Sequence, residues 1–126
     1  VSGHSELLPH DGVKRFRILT LLATAQGGAD AAVSLRYEQA ARPEDKRWPE
    51  FHDRQKERVL DTLADLEQNW QEVLANVTLG SISTACFLGY LDFRHGVLEW
   101  RKHFAKLADF EAGFAARDSM KTWALA

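Results

Sequence analysis

The stretch from Val77 to Phe93 constrains the fold of this chain more than any other part of its sequence. Thr78 is a favourable residue for the N-cap of a helix, and Val77 and Ile82 stand at the two positions of a hydrophobic staple. The residues after Ile82 are apolar at almost every position up to Phe93. A helix without a polar face is expected to be enclosed by other helices. The pattern therefore predicts a buried central helix that begins at Thr78.

The residues from Val13 to Tyr37 have the three-to-four spacing of apolar residues that is typical of an amphipathic helix. This first helix is predicted to begin near Asp11 or Gly12, since aspartate can cap a helix, and to extend to about Tyr37. The adjacent Gly27 and Gly28 each cost about 1 kcal/mol relative to alanine inside a helix. The pair therefore predicts a kink or a break that divides the first helix into two parts.

Two more helices and a tail complete the chain. A connection with two prolines occupies residues 41–49, and an amphipathic helix is predicted from about Glu50 to Val77. Spaced phenylalanines from Phe104 to Phe114 predict the last helix, and a short tail with Trp123 follows it. No segment alternates apolar and polar residues over the length of a strand. The predicted class is all-α, in one domain.

Composition and charge argue against several classes of function. Sixteen basic and eighteen acidic residues give a formal net charge of −2, which is too even for the basic surface that nucleic-acid binding requires. No apolar run approaches the ~20 residues of a membrane span, and the first nine residues lack the features of a signal peptide. The expected location is cytoplasmic. The only cysteine, Cys86, lies in an apolar run and is expected to be buried and unreactive.

The side chains that could carry catalysis or hold a metal show no convergent pattern. None of the five histidines accompanies a Gly-x-Ser-x-Gly turn, so a serine hydrolase is not indicated. His52 with Glu50 or Asp53 makes no metal site, because helix neighbours one or two residues apart point in different directions. Asp92 and Arg94 could clamp a substrate, but an ion pair at the end of the central helix is the favoured interpretation. No metal site is predicted.

The order of the helices and several short sequences resemble the C-terminal domain of glutathione S-transferases. Leu7-Leu8-Pro9 is similar to the interdomain linker of that family, and Thr78–Ile82 is similar to its helix-capping signature. Gly89–Arg94 resembles a run found in bacterial members. The family usually has aspartate where Ser81 stands here, so we expect a weaker cap at the start of the central helix.

The resemblance covers the chain from Leu7 to about Trp123. It implies a linker remnant in residues 1–10 and a bundle of helices in residues 11–126, with a long kinked first helix. It also implies that the glutathione site and the catalytic residue lie on a preceding thioredoxin-like domain, the half that this sequence is expected to lack. We therefore expect the chain to hold no cofactor and to be inactive alone, with glutathione a co-substrate only when that half is present.

The helical domain would then contribute a wall for the second substrate and much of the dimer contact, in an enzyme that conjugates glutathione to apolar electrophiles in detoxification. The resemblance places the wall on residues of the first helix and the tail: Leu21, Thr24, Ala25, Gly28 and Trp123. The expected partners are the thioredoxin-like domain, a second copy or another protein, and a hydrophobic small molecule. A free-standing helical module for protein interaction is the alternative, and the gene upstream of Val1 distinguishes the two.

Overall fold

The computed structural model describes residues 6–125, and helices make up most of this range. Its seven α-helices are α1 Gly12–Arg36, α2 Pro49–Asn69, α3 Gln71–Leu74, α4 Leu79–Arg94, α5 Trp100–His103, α6 Ala105–Ala115 and α7 Asp118–Thr122. A π-helical turn, Tyr37–Ala41, continues α1, and 3-10 turns occupy Glu44–Lys46 and Gly96–Leu98. Residues 6–125 contain no strand, so the all-α prediction is confirmed. Residues 1–5 of the expected linker, and Ala126, lie outside the described range.

The longest helix, α1, lies at the centre of the packing because it contacts both α2 and α4. Side chains from these three helices form most of the hydrophobic core, which includes Leu21, Ala32, Val59, Leu63, Leu66, Phe87, Leu88 and Leu91. Trp100 and Leu107 extend the core to α5 and α6. Burial of each large aliphatic or aromatic side chain contributes about 1.5–3 kcal/mol to folding before entropic costs are counted. The core therefore sets the relative positions of α1, α2 and α4.

The first helix passes through Gly27 and Gly28 without interruption, so a break there is excluded, while a kink at this position stays a prediction. Packing explains why residue 28 is glycine. A Cβ atom there would lie 2.6 Å from Cγ2 of Thr62 on α2 and 2.9 Å from Cζ of Phe87 on α4. Three helices thus approach one another closely at a residue without a side chain. A Cβ on Gly27 would meet no atom within 4 Å.

The central helix α4 begins with the predicted cap. Oγ1 of Thr78 accepts a hydrogen bond from the backbone N–H of Ser81 at 3.3 Å, and Oγ of Ser81 accepts one from the N–H of Thr78 at 2.7 Å. Serine therefore makes the reciprocal bond of a capping box, without the charge of an aspartate. Asp11 occupies the N-cap position of α1, but its side chain makes no capping hydrogen bond, so that part of the prediction is wrong.

Only one face of α4 is covered by other helices. Its buried apolar side chains are Ala85, Phe87, Leu88 and Leu91. Cys86 and Phe93 are exposed on the other side, so the expectation that Cys86 is buried is wrong. The cause is the period of the helix, since the turn that directs residues 85 and 88 towards α1 directs residue 86 away from it.

Hydrogen bonds between residues distant in sequence hold the helix ends together. Nε2 of the buried His95, which follows α4, lies 2.8 Å from the backbone oxygen of Ala32 on α1. The carboxylate of Glu67 on α2 accepts from the backbone N–H groups of Lys106 and Leu107, at 3.0 and 2.8 Å. Glu67 thus satisfies two amides in the first turn of α6, which has no cap from its own N-cap side chain.

The segment before α1 is attached to two helices. The backbone oxygen of Leu7 accepts a hydrogen bond from the N–H of Leu79 at the start of α4, at 3.0 Å. The backbone oxygen of Pro9 accepts one from Nη1 of Arg15 on α1, at 2.8 Å. Residues 7–9 are therefore held between α1 and α4.

The segment Gly12–Ala41 is long and apolar enough to cross a membrane, by length and composition alone. The sequence-based exclusion of a membrane span is therefore weaker than the pattern indicated. In the structure, six apolar residues of α1 are buried in the core: Ile18, Leu21, Ala25, Ala31, Ala32 and Leu35. Val13 and Phe16, in the first turns of the helix, are exposed.

Candidate functional site

An open groove lies between the C-terminal half of α1 and the C-terminal end of α4. Its volume is about 510 Å³, within the range of about 300–1,000 Å³ that is usual for small-molecule sites. The lining residues are Val33, Arg36, Tyr37, Ala40, Ala41, Tyr90, Phe93 and Arg94. We call this opening the aromatic groove.

Helical spacing places the aromatic residues on the two sides of this groove. Val33 near the end of α1 and Tyr37 at the start of the π-helical turn are four residues apart, and Tyr90 and Phe93 are three apart on α4, so each pair shares a face. Tyr37 is 65% exposed and Phe93 is 38% exposed. The ring of Tyr90 also contacts the ring of His95 edge-on, with centroids 5.9 Å apart. The groove therefore has an aromatic lining that no other part of residues 6–125 covers.

The charges in the aromatic groove come from arginines alone. Arg36 and Arg94 line it, and no aspartate or glutamate does. Within residues 6–125 neither guanidinium forms an ion pair. The guanidinium of Arg94 lies over the ring of Phe93, 4.0 Å from its centroid. The predicted ion pair between Asp92 and Arg94 is therefore wrong.

Asp92 is engaged on the other side of α4. Its carboxylate accepts hydrogen bonds from Nε1 of Trp100, at 2.8 Å, and from Nη1 of Arg101. Arg101 also donates to Glu111 on α6, at 2.5 Å. The hydrogen bond to Asp92 is the main cause that raises the pKa of Arg101 above its ordinary value. These contacts join α4, α5 and α6, which is a structural role for Asp92.

A second opening of about 620 Å³ lies between α4, α6 and the C-terminal tail. We call it the tail cavity. Its lining is largely apolar and includes Cys86, Gly89, Phe93, Met120 and Trp123. Trp123 is 83% exposed, so it borders the cavity without closing it. Phe93 lines both openings, which are thus neighbours along α4.

Four of the residues predicted as the second-substrate wall lie on successive turns of α1, and the fifth, Trp123, follows α7. Leu21 and Ala25 are fully buried in the core, and Gly28 lies at the contact of three helices. Thr24 uses its hydroxyl to donate to the backbone oxygen of Thr20, at 2.9 Å. None of these four lines either opening, and only Trp123 borders one. The assignment of the second-substrate wall to these residues therefore stays a prediction, and the aromatic groove is a different surface from it.

The residues of the aromatic groove were missed because their signal in the sequence is ambiguous. Val33 and Tyr37 continue the apolar spacing of α1, and this spacing is equally typical of core residues. Which face of a long helix is covered depends on where α2 and α4 pack, and spacing alone does not say this. Tyr90 and Phe93, in the run that resembles bacterial family members, were the available indication.

Glu38, beside the connection between α1 and α2, is engaged in hydrogen bonds. The carboxylate of Glu38, which is buried, accepts from the backbone N–H of Trp48 at 2.6 Å and from Nε of Arg42 at 2.8 Å. The hydrogen bond from Trp48 is the main cause that lowers the pKa of Glu38. Glu38 thus holds the connection between α1 and α2 in place. In the described part of the chain, no three His, Cys, Asp or Glu side chains are placed to bind a metal.

Sequence comparison gives a curated relative, the uncharacterized GST-like protein YibF of Escherichia coli (strain K12). The two are 33% identical over 110 residues, which is 82% of this chain and 54% of the relative. No protein-family model matches the chain.

Structural comparison gives the same family. A glutathione transferase family member from Pseudomonas fluorescens Pf-5, solved with bound glutathione, has a TM-score of 0.90 and 44% identity over 92% of this chain and 57% of its own. A structure of the Pf-5 protein with bound S-(propanoic acid)-glutathione has a TM-score of 0.92 and 42% identity, over 95% and 62%. The chain thus spans a little more than half the length of these relatives. These matches show that the chain belongs to the glutathione S-transferase family, and its all-helical architecture is consistent with the C-terminal domain of that family.

Proposed function

We propose that this chain serves as the helical domain of a glutathione transferase and that its aromatic groove forms the wall for the second, apolar substrate. The observation that carries the proposal is the exposure of Tyr37 and Phe93 on the two sides of a groove of about 510 Å³. Aromatic surface covered by an apolar ligand contributes about 25 cal/mol per Å². An apolar electrophile of one or two rings fits this lining and this volume.

Glutathione itself would bind outside this chain. Its carboxylates and backbone need several amide donors and cations, and its thiol needs a donor that favours the thiolate. The Pf-5 relative binds glutathione, and this chain spans 57–62% of the length of that protein. We place these donors on a thioredoxin-like domain in the remaining part, so the 126-residue chain is expected neither to bind glutathione nor to conjugate it.

The start of α1 offers a surface for another folded unit. Val13 is 78% exposed and Phe16 is 68% exposed, three residues apart on one face of the helix. Neighbouring exposed apolar side chains usually mark an interface. In this proposal they contact the thioredoxin-like domain or a second copy of the chain. A free-standing interaction module would use the same pair, and a full transferase activity after fusion would argue against it.

The test restores the second half. The purified chain is titrated with glutathione by calorimetry, and a fusion with the thioredoxin-like domain of the Pf-5 relative, joined at Leu7, is assayed with an aromatic electrophile. We expect no binding by the chain alone and activity in the fusion. In the fusion, Tyr37→Ala and Phe93→Ala should raise KM for the electrophile and leave glutathione affinity unchanged. Val97→Ala is the matched control, because Val97 is 90% exposed and lies outside the groove.

Two results would contradict the proposal. Micromolar binding of glutathione by the isolated chain would reveal a complete site within it. A change of electrophile selectivity in Trp123→Ala, with none in Tyr37→Ala or Phe93→Ala, would assign the second substrate to the tail cavity instead.

A further inference from the structure

All charged groups that line the aromatic groove have the same sign. Arg36 ends α1 and Arg94 ends α4, and the remaining lining consists of alanine, valine, tyrosine and phenylalanine. Neighbouring openings contain arginines that are paired with carboxylates. Arg42 is paired with Glu38 beside the connection, and Arg101 is paired with Asp92 beside the tail cavity. The lining of the aromatic groove therefore has two arginines and no carboxylate, whereas the lining of the tail cavity includes Asp92 and Glu111.

The placement of Arg94 suits recognition of a planar anion. Its guanidinium lies over the ring of Phe93, 4.0 Å from the centroid, and this contact orients the guanidinium plane. Its N–H groups form no hydrogen bond within residues 6–125, so they remain available to a ligand. A guanidinium binds a carboxylate through two parallel hydrogen bonds, which an ammonium group does not.

The helix dipole alone does not account for this pair. A cation near the C-terminal end of a helix is favourable, which explains one arginine at the end of α1 and one at the end of α4. It does not explain why both line a single groove from which carboxylates are absent, since like charges repel each other. Burial is the main cause that lowers the pKa of His95, and the charge of Arg36 lowers it further.

We propose that the aromatic groove binds a small aromatic molecule that carries a carboxylate, with its ring against Tyr37 and Phe93 and its carboxylate at Arg36 and Arg94. This inference rests on the proposed function, because such a molecule would be the second substrate. The groove volume of about 510 Å³ fits a molecule of one or two rings. The lining supplies both parts of the recognition, since aromatic surface takes the ring and guanidinium takes the anion.

The experiment compares an anion with its neutral counterpart on the purified 126-residue chain. Calorimetry measures the affinity for 2-naphthoate and for 2-naphthalenemethanol, which share the ring system and differ in charge. We expect naphthoate to bind about tenfold more tightly, because charge-assisted hydrogen bonds are the stronger class. Added salt should reduce this preference. Glutathione and a hexaglutamate peptide are titrated in parallel.

The arginine variants identify the contact. Arg36→Gln and Arg94→Gln should each lower the affinity for naphthoate and leave that for naphthalenemethanol unchanged. Arg54→Gln is the matched control, because Arg54 is an exposed arginine of α2 outside the groove. Arg94→Lys should recover only part of the preference, since lysine keeps the charge and loses the paired donors. Circular dichroism of each variant tests whether the helices are intact.

Each outcome decides the inference. Equal affinity for the two ring compounds, no binding of either, or no effect of the arginine variants would overturn it. Displacement of naphthoate by glutathione would assign the arginines to the carboxylates of glutathione, and tighter binding of hexaglutamate would assign them to an acidic protein; both overturn it. The fusion assay with a neutral electrophile tests the proposed function separately. Activity in that assay would support the second-substrate wall even if the chain shows no preference for the anion.

Discussion

His95 at the end of α4 donates a hydrogen bond from Nε2 to the backbone oxygen of Ala32 in α1, at 2.8 Å. A carbonyl oxygen can only accept, so Nε2 carries the proton in the neutral ring. The ring is 2% exposed, and burial is the main cause that lowers the pKa of His95 below its ordinary value of 6.5. The contact joins the two helices beside the aromatic groove.

This contact predicts a dependence of stability on pH. Because the pKa of His95 is lowered in the folded state, the unfolded chain binds the proton more tightly. The free energy of unfolding should be fully retained above pH 6.5 and should fall as the pH decreases below it. Urea titrations of the wild type and of His95→Gln test this, with the exposed His103→Gln as the control. The prediction is contradicted if the free energy of unfolding of His95→Gln falls between pH 6.5 and pH 5 as steeply as that of the wild type.

The two adjacent glycines of α1 should respond oppositely to alanine. Gly28→Ala should destabilise the fold by about 1–3 kcal/mol, because the added methyl would overlap Thr62 and Phe87. Gly27→Ala should stabilise it by about 0.5–1 kcal/mol, since it meets no atom and reduces the freedom of the unfolded chain. Thermal unfolding of both variants gives the answer. Equal effects of the two substitutions would show that the close contact of three helices is misplaced.

The cap of α4 should contribute measurably to stability. Thr78→Ala is expected to cost about 0.5–2 kcal/mol, because it removes the acceptor for the N–H of Ser81. Ser81→Ala should cost a similar amount, since the N–H of the buried Thr78 then loses its partner. Ser83→Ala serves as the control on the same helix. Denaturation midpoints equal to that of the wild type in both cap variants would contradict the prediction.

Cys86 should react with thiol reagents in the folded chain. It is exposed beside the tail cavity, so an aromatic disulfide reagent can reach its sulfur without unfolding. We expect full modification in buffer, at a rate that denaturant raises only slightly, and none in Cys86→Ser. Modification that appears only in denaturant would restore the original expectation of a buried thiol.

An interaction could be predicted from the sequence when its two partners lie close together along the chain. The cap at Thr78 was predictable because its partner, Ser81, lies three residues away. The cap of α6 was not, because Glu67 approaches it from another helix, 39 and 40 residues earlier in the chain. No spacing rule connects such positions.

The candidate site shows the same limit. Leu21 and Ala25 carry the spacing of an inward-facing helical stripe, and so does the pair Val33 and Tyr37. Only the packing of α2 and α4 determines that the first pair is in the core and that Tyr37 is exposed. Family resemblance indicated other turns of α1 than those that border the aromatic groove. The charges in the sequence did not indicate the groove either, because whether an arginine has a carboxylate partner depends on its neighbours in the fold.

The attachment of residues 7–9 has a mechanical consequence. A segment that bonds to α4 through Leu7 and to α1 through Pro9 cannot swivel as a flexible tether does. In a longer polypeptide, any rotation of a unit joined ahead of Leu7 would be transmitted as torque to the first turns of both helices. These two hydrogen bonds would then restrict the angle between such a unit and the bundle, and loss of either would leave that angle less restricted.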